Sequence, residues 1–217
     1  KGLVQRIATG TVGTIDHEVL ADEQGEFHVD QELPDHETAL GTVFQLFRDH
    51  GPDLTATFAV AHRTVHGGDR FAAPTRIDNQ VVKTLRELSP LAPLHNPPAI
   101  AGIQAARKLL PDVPHIAIFD TAFFVNLPAE AYTYAMDIGT AGRTKIRKYG
   151  FHGTSHQYVS QQVSKLVGRG DLKQIVCHLG NGASISAIDS GRPIETSMGL
   201  TPLPGLVMGT RTGDIDA

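Results

Sequence analysis

A glycine-rich turn is the first feature of this sequence that suggests chemistry. The segment from Ile175 to Ile188 carries apolar residues on both sides of Gly180, Asn181 and Gly182, which is typical of two strands joined by a tight turn. Because positions 180 and 182 lack a Cβ atom, the backbone N–H groups of the turn can approach an anion such as a phosphate closely. A hairpin turn that binds no ligand is the alternative. The turn matches neither the Walker A motif nor a G-x-G-x-x-G motif that opens a helix.

Charged and polar residues stand at the ends of predicted strands and loops. Arg63 follows an apolar strand, Asp120 ends a second strand, and Arg211 closes a long apolar loop that is broken by Gly and Pro. His152 lies in a turn between glycines. Ligands of α/β sheets bind at the carboxyl ends of the strands, where Arg63 and Asp120 are predicted to lie. With the glycine-rich turn, these residues favour phosphoryl transfer, in which positioning and charge neutralisation carry the catalysis.

The same residues also have structural interpretations. Arg63 is suited to an ion pair with any nearby carboxylate, and Asp120 before Thr121 is also a helix-capping signal. His152 and His156 have the i, i+4 spacing of helical zinc sites, but the glutamate of the H-E-x-x-H motif is missing.

Composition and cysteine content narrow the class of protein. The 217 residues have a formal net charge of −4 and a pI near 6.3, which argues against nucleic acid as the main partner. No apolar run approaches the roughly 20 residues of a membrane span, so no membrane partner is predicted. A single cysteine, Cys177, excludes an internal disulfide and fits a cytoplasmic location. Cys177 and His178 point to opposite faces of a strand, and we expect Cys177 in the core.

The elements that must position these residues follow the apolar periodicity of the sequence. The pattern predicts strands at residues 2–8, 10–20, 26–29, 54–65 and 115–119, and helices at residues 35–50, 79–87 and 99–110. The first three strands form an antiparallel meander and the later ones are parallel, which indicates an α/β domain. After Asp120 the pattern restarts, with a helix capped by Thr154 or Ser155 and then the hairpin at Ile175. We expect a domain boundary near residues 120–123, with a cleft between the two domains.

Much of the chain resembles the acetate kinase family, the acetokinase family of carboxylate kinases. The segments that carry the resemblance, in the same order as in the family, are His62–Gly68, Leu91–Pro97, Phe119–Phe123, Tyr149–His156, Cys177–Gly182 and Thr196–Asp216. The resemblance implies a ribonuclease-H-like α/β fold of the actin and sugar-kinase superfamily. It further implies a first domain at residues 1–121, the start of a nucleotide-binding domain at residues 122–217, and an active site in the cleft between them.

The activity that the resemblance implies is reversible transfer of the γ-phosphoryl group of ATP to acetate, which gives acetyl phosphate and ADP. The family requires Mg²⁺ and usually forms a homodimer. By motif, Arg63 and Arg211 would bind acetate and the transferring phosphoryl group, and His152 would steady the transition state. Asp120 would be the active-site carboxylate. The phosphate loop for ATP would comprise His178, Leu179, Gly180, Asn181 and Gly182. His95, His156 and the ring of His178 would act indirectly, through residues that touch the substrates.

The role of Asp120 can be narrowed by acid–base chemistry. The substrate carboxylate has a pKa of about 4 to 5 and is already ionised at neutral pH, so it needs no general base. We therefore favour Asp120 as an organiser of Mg²⁺ or of its bound waters.

Three features depart from the family pattern. The family opens with an Asn-Ala-Gly-Ser-Ser strand that holds metal and phosphate, and this sequence starts after it. The family also continues beyond the position of Ala217 with adenosine-binding loops and a metal-binding glutamate, so we expect the usual metal ligands outside this chain. Alone, such a chain would be an incomplete enzyme. Phe124 stands where the family commonly has His, and its phenyl ring has no polar role.

Other functions are also compatible with the residues. Propionate or butyrate kinase is the nearest one, because one methylene in an apolar pocket is worth only about 1 to 3 kcal/mol. Candidates for the pocket wall are Val65, Leu94 and Pro204. A non-catalytic phosphate-binding module is the second alternative. A phosphatase is less well supported, because no residue is obviously placed to activate water.

Overall fold

The computed structural model describes residues 1–20 and 25–216. Its strands are β1 Gly2–Gln5, β2 Val12–Glu18, β3 Glu26–Glu32, β4 Val60–Thr64, β5 Thr75–Arg76, β6 His115–Phe119, β7 Lys173–Leu179, β8 Ala183–Asp189 and β9 Arg192–Thr196. Its helices are α1 His36–His50, α2 Asn79–Leu88, α3 Asn96–Leu109, α4 Ala129–Tyr132, α5 Ile138–Thr144 and α6 Gly153–Val167. The strand orders within the sheets are β1-β2-β3, β4-β6-β5 and β7-β8-β9.

The first sheet is the predicted antiparallel meander, packed against α1. Each strand pairs antiparallel with the next. Ile15 and Leu33 form a buried core with Ala39 and Leu46 of α1. The helix begins after Asp35, whose Oδ1 accepts a hydrogen bond from Thr38 N at 2.7 Å and so satisfies a free amide of the first turn. Both the meander and the helix at residues 35–50 are confirmed.

Residues 54–65 are not one strand as predicted. Leu54–Ala56 form a 3₁₀ turn, and β4 begins only at Val60. Asp53 Oδ1 accepts a hydrogen bond from Thr55 N at 2.8 Å. Such a local bond from an aspartate gives the backbone an alternative to strand pairing. The strand end that carries Arg63 is unaffected by this correction.

The strands β4 and β6 are parallel, as predicted. Val60 N donates to Pro114 O at the start of the pair, and Asp120 N donates to Thr64 O at its end, each at 3.0 Å. Residue numbers therefore rise in the same direction along both strands, which is the parallel arrangement. Both strands consequently end at the same edge of the sheet.

Helices α3 and α6 begin at residues that differ from the prediction. Helix α3 begins at Asn96, ahead of Pro97 and Pro98, because a proline in the first turn lacks only an N–H that has no helical acceptor. Helix α6 is capped by neither Thr154 nor Ser155. The residue before it is His152, which has a left-handed φ of 59° and makes no side-chain capping bond.

The predicted hairpin is confirmed, but the predicted burial of Cys177 is wrong. Strands β7 and β8 are antiparallel, and Leu179 lies opposite Ala183 across the turn. Cys177 is exposed. Because side chains alternate along a strand, it shares a face with Ile175 and Leu179, which are 69% and 76% exposed.

The described residues divide into two compact units. One comprises Lys1–His62 with Pro97–Ile116, and the other comprises Arg63–Asn96 with Ala117–Ala217, in both cases as far as the residues are described. The family-based division into domains at residues 1–121 and 122–217 stays a prediction. The last residue of the second predicted domain, Ala217, lies outside the described residues. Within the described ranges, no helix has the length and apolarity needed to cross a membrane.

Candidate active site

An ion pair joins the ends of the parallel strands β4 and β6. Arg63 Nε donates to Asp120 Oδ1 at 2.9 Å, and Arg63 Nη2 donates to Asp120 Oδ2 at 2.7 Å. The Asp120 side chain is 2% exposed, whereas that of Arg63 is 64% exposed. The hydrogen bonds to Asp120 raise the pKa of Arg63. The capping interpretation of Asp120 is wrong, because the 3₁₀ turn at Ala122–Phe124 has Thr121 before it and no side-chain cap.

The start of α6 packs directly on Asp120. Gly153 N donates to the Asp120 carbonyl oxygen at 2.9 Å. A Cβ atom at position 153 would overlap that same oxygen, so only glycine fits there. This close approach brings His152, the residue before the helix, next to the ends of β4 and β6.

The His152 ring is held between a serine and a second histidine. Its Nδ1 lies 2.9 Å from Ser184 Oγ, and its ring stacks on that of His178 with centroids 4.1 Å apart. Burial lowers the pKa of His152 to about 4; repulsion from His178, Arg63 and His156 acts in the same direction, and Asp120 opposes it. The imidazole is therefore neutral near pH 7.

His178 is half-buried and is fixed by Ser155. Its Nδ1 lies 2.9 Å from Ser155 Oγ, in the first turn of α6. The hydroxyl that the sequence suggested as a helix cap thus orients a ring of the neighbouring hairpin.

The long loop after β9 brings Arg211 to the glycine-rich turn. Met198 and Met208 are buried in a cluster with Tyr149 and Phe151, which anchors the loop at two points. Arg211 Nη1 donates to the Pro202 carbonyl oxygen at 2.7 Å, within the same loop. These contacts give the apolar segment a fixed shape.

Gly182 marks the point at which Arg211 and His152 converge. A Cβ atom placed on Gly182 would lie 2.5 Å from Arg211 Nη2 and 3.2 Å from His152 Nε2. The turn is also tied to the loop, since Gly209 N donates to Asn181 O at 3.1 Å. One amide of the turn, Gly180 N, donates to Gly182 O at 3.1 Å and is therefore already engaged. The site thus combines a guanidinium, an imidazole and a turn that has no side chain at Gly182.

His95 belongs to the same electrostatic environment. Partial burial lowers its pKa, and the neighbouring charges of Arg211 and Arg63 lower it further, while Asp120 acts in the opposite sense. Two cations and one carboxylate are therefore all within electrostatic reach of His95.

The structure brings together most, but not all, of the predicted site residues. Arg63 contacts Asp120, while His152, Gly182 and Arg211 converge nearby. The Leu179 side chain is 76% exposed. Ser184 is the residue that sequence reasoning missed. Ser184 lies on the face of β8 that is turned towards α6. The alternation of residues along the strand could have placed it on that face, but alternation does not indicate which residues it contacts.

The zinc interpretation of His152 and His156 is not supported by their contacts. Both ring nitrogens of His156 are hydrogen-bonded, to Ser184 Oγ at 2.7 Å and to Ser186 Oγ at 2.8 Å. Across residues 1–20 and 25–216, no three His, Cys, Asp or Glu side chains are grouped so that they could hold a metal ion. Both oxygens of Asp120 accept hydrogen bonds from Arg63, so the described side chains do not by themselves form a magnesium cage.

Comparison with known proteins identifies a family over the whole chain. A sequence profile described as the Acetokinase family matches residues 1–217. An acetate kinase of Clavibacter sepedonicus is 52% identical over 221 residues, which cover 99% of this chain and 54% of that protein. The chain thus spans about half the length of this curated relative.

Solved kinases have the same fold. The acetate kinase of Porphyromonas gingivalis superposes with a TM-score of 0.90 at 36% identity, over 99% of this chain and 55% of that chain. A propionate kinase from Francisella tularensis superposes with a TM-score of 0.89 at 38% identity, over 99% and 54% of the two chains. The mixed α/β fold of the actin and sugar-kinase superfamily is therefore confirmed for this chain.

Proposed function

Because this chain belongs to the acetokinase family, we propose that the natural protein containing it transfers the γ-phosphoryl group of ATP to acetate. In this reaction an acetate oxygen forms a bond to the γ-phosphorus, and the bond from the γ-phosphorus to the β,γ-bridging oxygen breaks. The products are acetyl phosphate and ADP, and the reaction is reversible. The attacking carboxylate is ionised at neutral pH, since its pKa is about 4 to 5, so no general base is required.

The observation that carries this proposal is the convergence of Arg211 and His152 on Gly182. One guanidinium and one ring nitrogen face the same point at Gly182, which has no side chain to exclude a ligand. Donors aimed at one point in a partly buried site stabilise negative charge that develops on a transferring phosphoryl group. This arrangement supports Arg211 and His152 as the residues that contact the transferring group.

The remaining residues have roles that follow from their contacts. Arg63 uses Nε and Nη2 for Asp120, and its exposed guanidinium retains donors for the acetate and phosphoryl oxygens. Asp120 holds Arg63 in place. The turn from His178 to Gly182, with Leu179, Gly180 and Asn181, is proposed to receive the phosphates of ATP.

Mg²⁺ is proposed as the metal, bound mainly through the nucleotide. In phosphotransferases this ion keeps several waters and is held by substrate phosphates with one or two carboxylates. The ion would neutralise charge on the phosphates. Asp120 is a carboxylate of this site, and because each of its oxygens has a further lone pair, it can accept a hydrogen bond from a metal-bound water.

Propionate is the second candidate acceptor. The propionate kinase of Francisella tularensis superposes as well as the acetate kinase of Porphyromonas gingivalis does, with TM-scores of 0.89 and 0.90. Of the predicted pocket residues, Val65 packs against the buried cluster at Tyr149, and Leu94 is 83% exposed. Homodimer formation and a cytoplasmic location stay predictions.

The test is acetyl phosphate formation by the natural gene product that contains this chain. ATP, Mg²⁺ and acetate are supplied, and the product is trapped with hydroxylamine. The Arg211→Ala variant is expected to lose about 10³-fold or more in kcat, the effect of an arginine on a transferring phosphoryl group. Arg169→Ala is the matched control, because Arg169 is exposed and pairs with Asp171. No product with acetate, propionate or butyrate would refute the kinase and favour a phosphate-binding module.

A further inference from the structure

A chain of hydrogen bonds leads from His152 into the protein interior. His152 Nδ1 lies 2.9 Å from Ser184 Oγ, and the same Oγ lies 2.7 Å from His156 Nε2. On the far side of that ring, His156 Nδ1 lies 2.8 Å from Ser186 Oγ. His156 and Ser184 are 0% exposed and Ser186 is 1% exposed. Water therefore does not compete for these groups.

Two secondary-structure elements create the chain by their periodicity. Ser184 and Ser186 alternate along β8 and share one face of the strand. His156 lies in the first turns of α6, one turn beyond His152. The Phe124 ring is fully buried and lies edge-on to His156, with centroids 5.7 Å apart, so the imidazole is held in place on that side as well.

The single proton of the Ser184 hydroxyl couples the two rings. Burial lowers the pKa of both His152 and His156 to about 4, so each ring is neutral near pH 7 and carries one proton. Ser184 Oγ touches a nitrogen of each ring and donates to one of them, so the other must donate to it. The two rings therefore carry their protons either both on Nε2 or both on Nδ1.

Ser186 decides between these two arrangements. Among the contacts of the described residues, Ser186 Oγ has His156 Nδ1 as its one hydrogen-bond partner. If His156 carried its proton on Nδ1, the Ser186 hydroxyl proton would be buried without an acceptor, and such an unsatisfied group is costly. With the proton on His156 Nε2, the Ser186 hydroxyl donates to His156 Nδ1, and every polar group in the chain of hydrogen bonds has a partner.

The direction of every hydrogen bond from Ser186 to His152 follows from the bond that Ser186 donates. Ser186 donates to His156 Nδ1, His156 Nε2 donates to Ser184, and Ser184 donates to His152 Nδ1. His152 consequently carries its proton on Nε2, the nitrogen that faces Gly182 and Arg211.

We propose that His156, Ser184 and Ser186 are positioning residues that hold His152 as the Nε2–H tautomer, so that its ring donates a hydrogen bond to the oxyanion beside Arg211. The identity of that oxyanion, a transferring phosphoryl group, rests on the proposed function. The tautomer itself does not.

The tautomer is measured by ¹⁵N NMR of the natural gene product labelled at histidine, with His152 assigned from a His152→Gln variant. We expect the proton on Nε2 of both His152 and His156 at neutral pH. In Ser186→Ala, which does not touch His152, the preference is lost and Nδ1–H forms of both rings become populated. A His152 proton on Nδ1 in the unmodified protein, or an unchanged His152 signal in Ser186→Ala, would overturn the proposal.

Kinetics test the consequence of the tautomer. Ser184→Ala is expected to lower kcat about 10- to 100-fold while the KM values for ATP and acetate change by less than about twofold, because the ring is misoriented and no substrate contact is removed. Ser160→Ala is the control, since Ser160 is a buried serine of α6 that takes no part in the chain of hydrogen bonds. Equal kcat values in the two variants would overturn the positioning role. If the protein had no kinase activity at all, the NMR experiment would still decide the tautomer.

Discussion

The two partners of the Arg63–Asp120 ion pair lie in different environments. The carboxylate is buried, and both of its oxygens accept hydrogen bonds from the guanidinium. Its backbone is fixed on both sides, by Thr64 O and by Gly153 N. The arginine is mostly exposed, so its guanidinium can face a ligand while Nε and Nη2 remain bound to Asp120. The geometry suits a residue that is oriented before the substrate arrives.

Asp120→Asn tests this arrangement. We expect kcat to fall by about 10²-fold or more, because the amide has only one oxygen to accept hydrogen bonds and no longer fixes the orientation of the Arg63 guanidinium. The free energy of unfolding should fall by about 1 to 2 kcal/mol, less than for a buried arginine left unpaired, because water can solvate the exposed guanidinium. The Mg²⁺ concentration for half-maximal activity should also rise if Asp120 orders metal-bound water. Measurements are steady-state kinetics over a Mg²⁺ series and urea unfolding.

The control for Asp120→Asn is Glu87→Gln, which removes an ion pair with Arg70 whose partners are both about half exposed. This change should alter the free energy of unfolding by less than about 1 kcal/mol and leave kcat unchanged. An Asp120→Asn variant with lost activity and an unaltered Mg²⁺ requirement would rule out a role in organising the metal.

At the scale of elements, the β7–β8 turn provides a surface on which other elements meet. The turn has two glycines with different surroundings. A Cβ atom on Gly182 would meet Arg211 and His152, whereas a Cβ atom on Gly180 would have Gly182 O at 3.4 Å as its nearest neighbour. The same substitution at the two positions therefore separates the placement of Arg211 from the general shape of the turn.

Gly182→Ala is expected to lower kcat by about 10²-fold with little effect on stability. The reason is that the new methyl group displaces the flexible end of Arg211, and a misplaced catalytic group loses rate without disturbing the core. Gly180→Ala should leave kcat within about threefold and raise the KM for ATP, because its methyl group occupies space that a phosphate would approach. Kinetics and thermal unfolding of both variants provide the test. Equal kcat losses at both positions would contradict the role assigned to Gly182.

On the scale of the whole molecule, neutral histidines that are partly or fully buried make stability depend on pH. Burial is the main reason that the pKa values of His62, His66, His152 and His156 are each lowered to about 4. Their pKa in an unfolded chain is about 6.5. Between these values the unfolded state binds more protons, so acid favours unfolding. His28 acts in the opposite sense, since hydrogen bonds to Asp16 and Asp30 raise its pKa, but it is exposed and contributes little.

The free energy of unfolding should therefore be fully developed above about pH 6.5 and fall progressively as the pH drops towards about 4. The measurement is urea unfolding at a series of pH values. His66→Gln should reduce the slope in this window by up to about 1.4 kcal/mol per pH unit, the value for one proton. The pH dependence should persist at high salt, because the cost of burying a charge is screened much less than attraction between surface charges. An unchanged slope in His66→Gln would exclude that residue as a contributor.

Local features of the sequence predicted most of the elements and the residue types of the site. The meander, α1 and the β7–β8 hairpin follow from apolar alternation, the Asp35 cap and the Gly-Asn-Gly turn, all of which act over a few residues. The errors arose where a local signal does not determine what a side chain faces in the folded chain. Thr154 or Ser155 was predicted as the helix cap, but Ser155 bonds to His178, and Cys177 was predicted as core although it lies on an exposed face.

The sequence by itself determined which chemical groups are present, and the tertiary structure decided how they are combined. The presence of arginine, histidine and aspartate at strand and loop ends, together with a glycine-rich turn, already indicated phosphoryl transfer. Only the folded chain brings the loop residue Arg211 to Gly182 and encloses His156 between Ser184 and Ser186. These contacts join residues that are far apart in the sequence and depend on close packing of several elements. Spacing within one element carries no information about them, and so the tautomer of His152 could be inferred only from the structure.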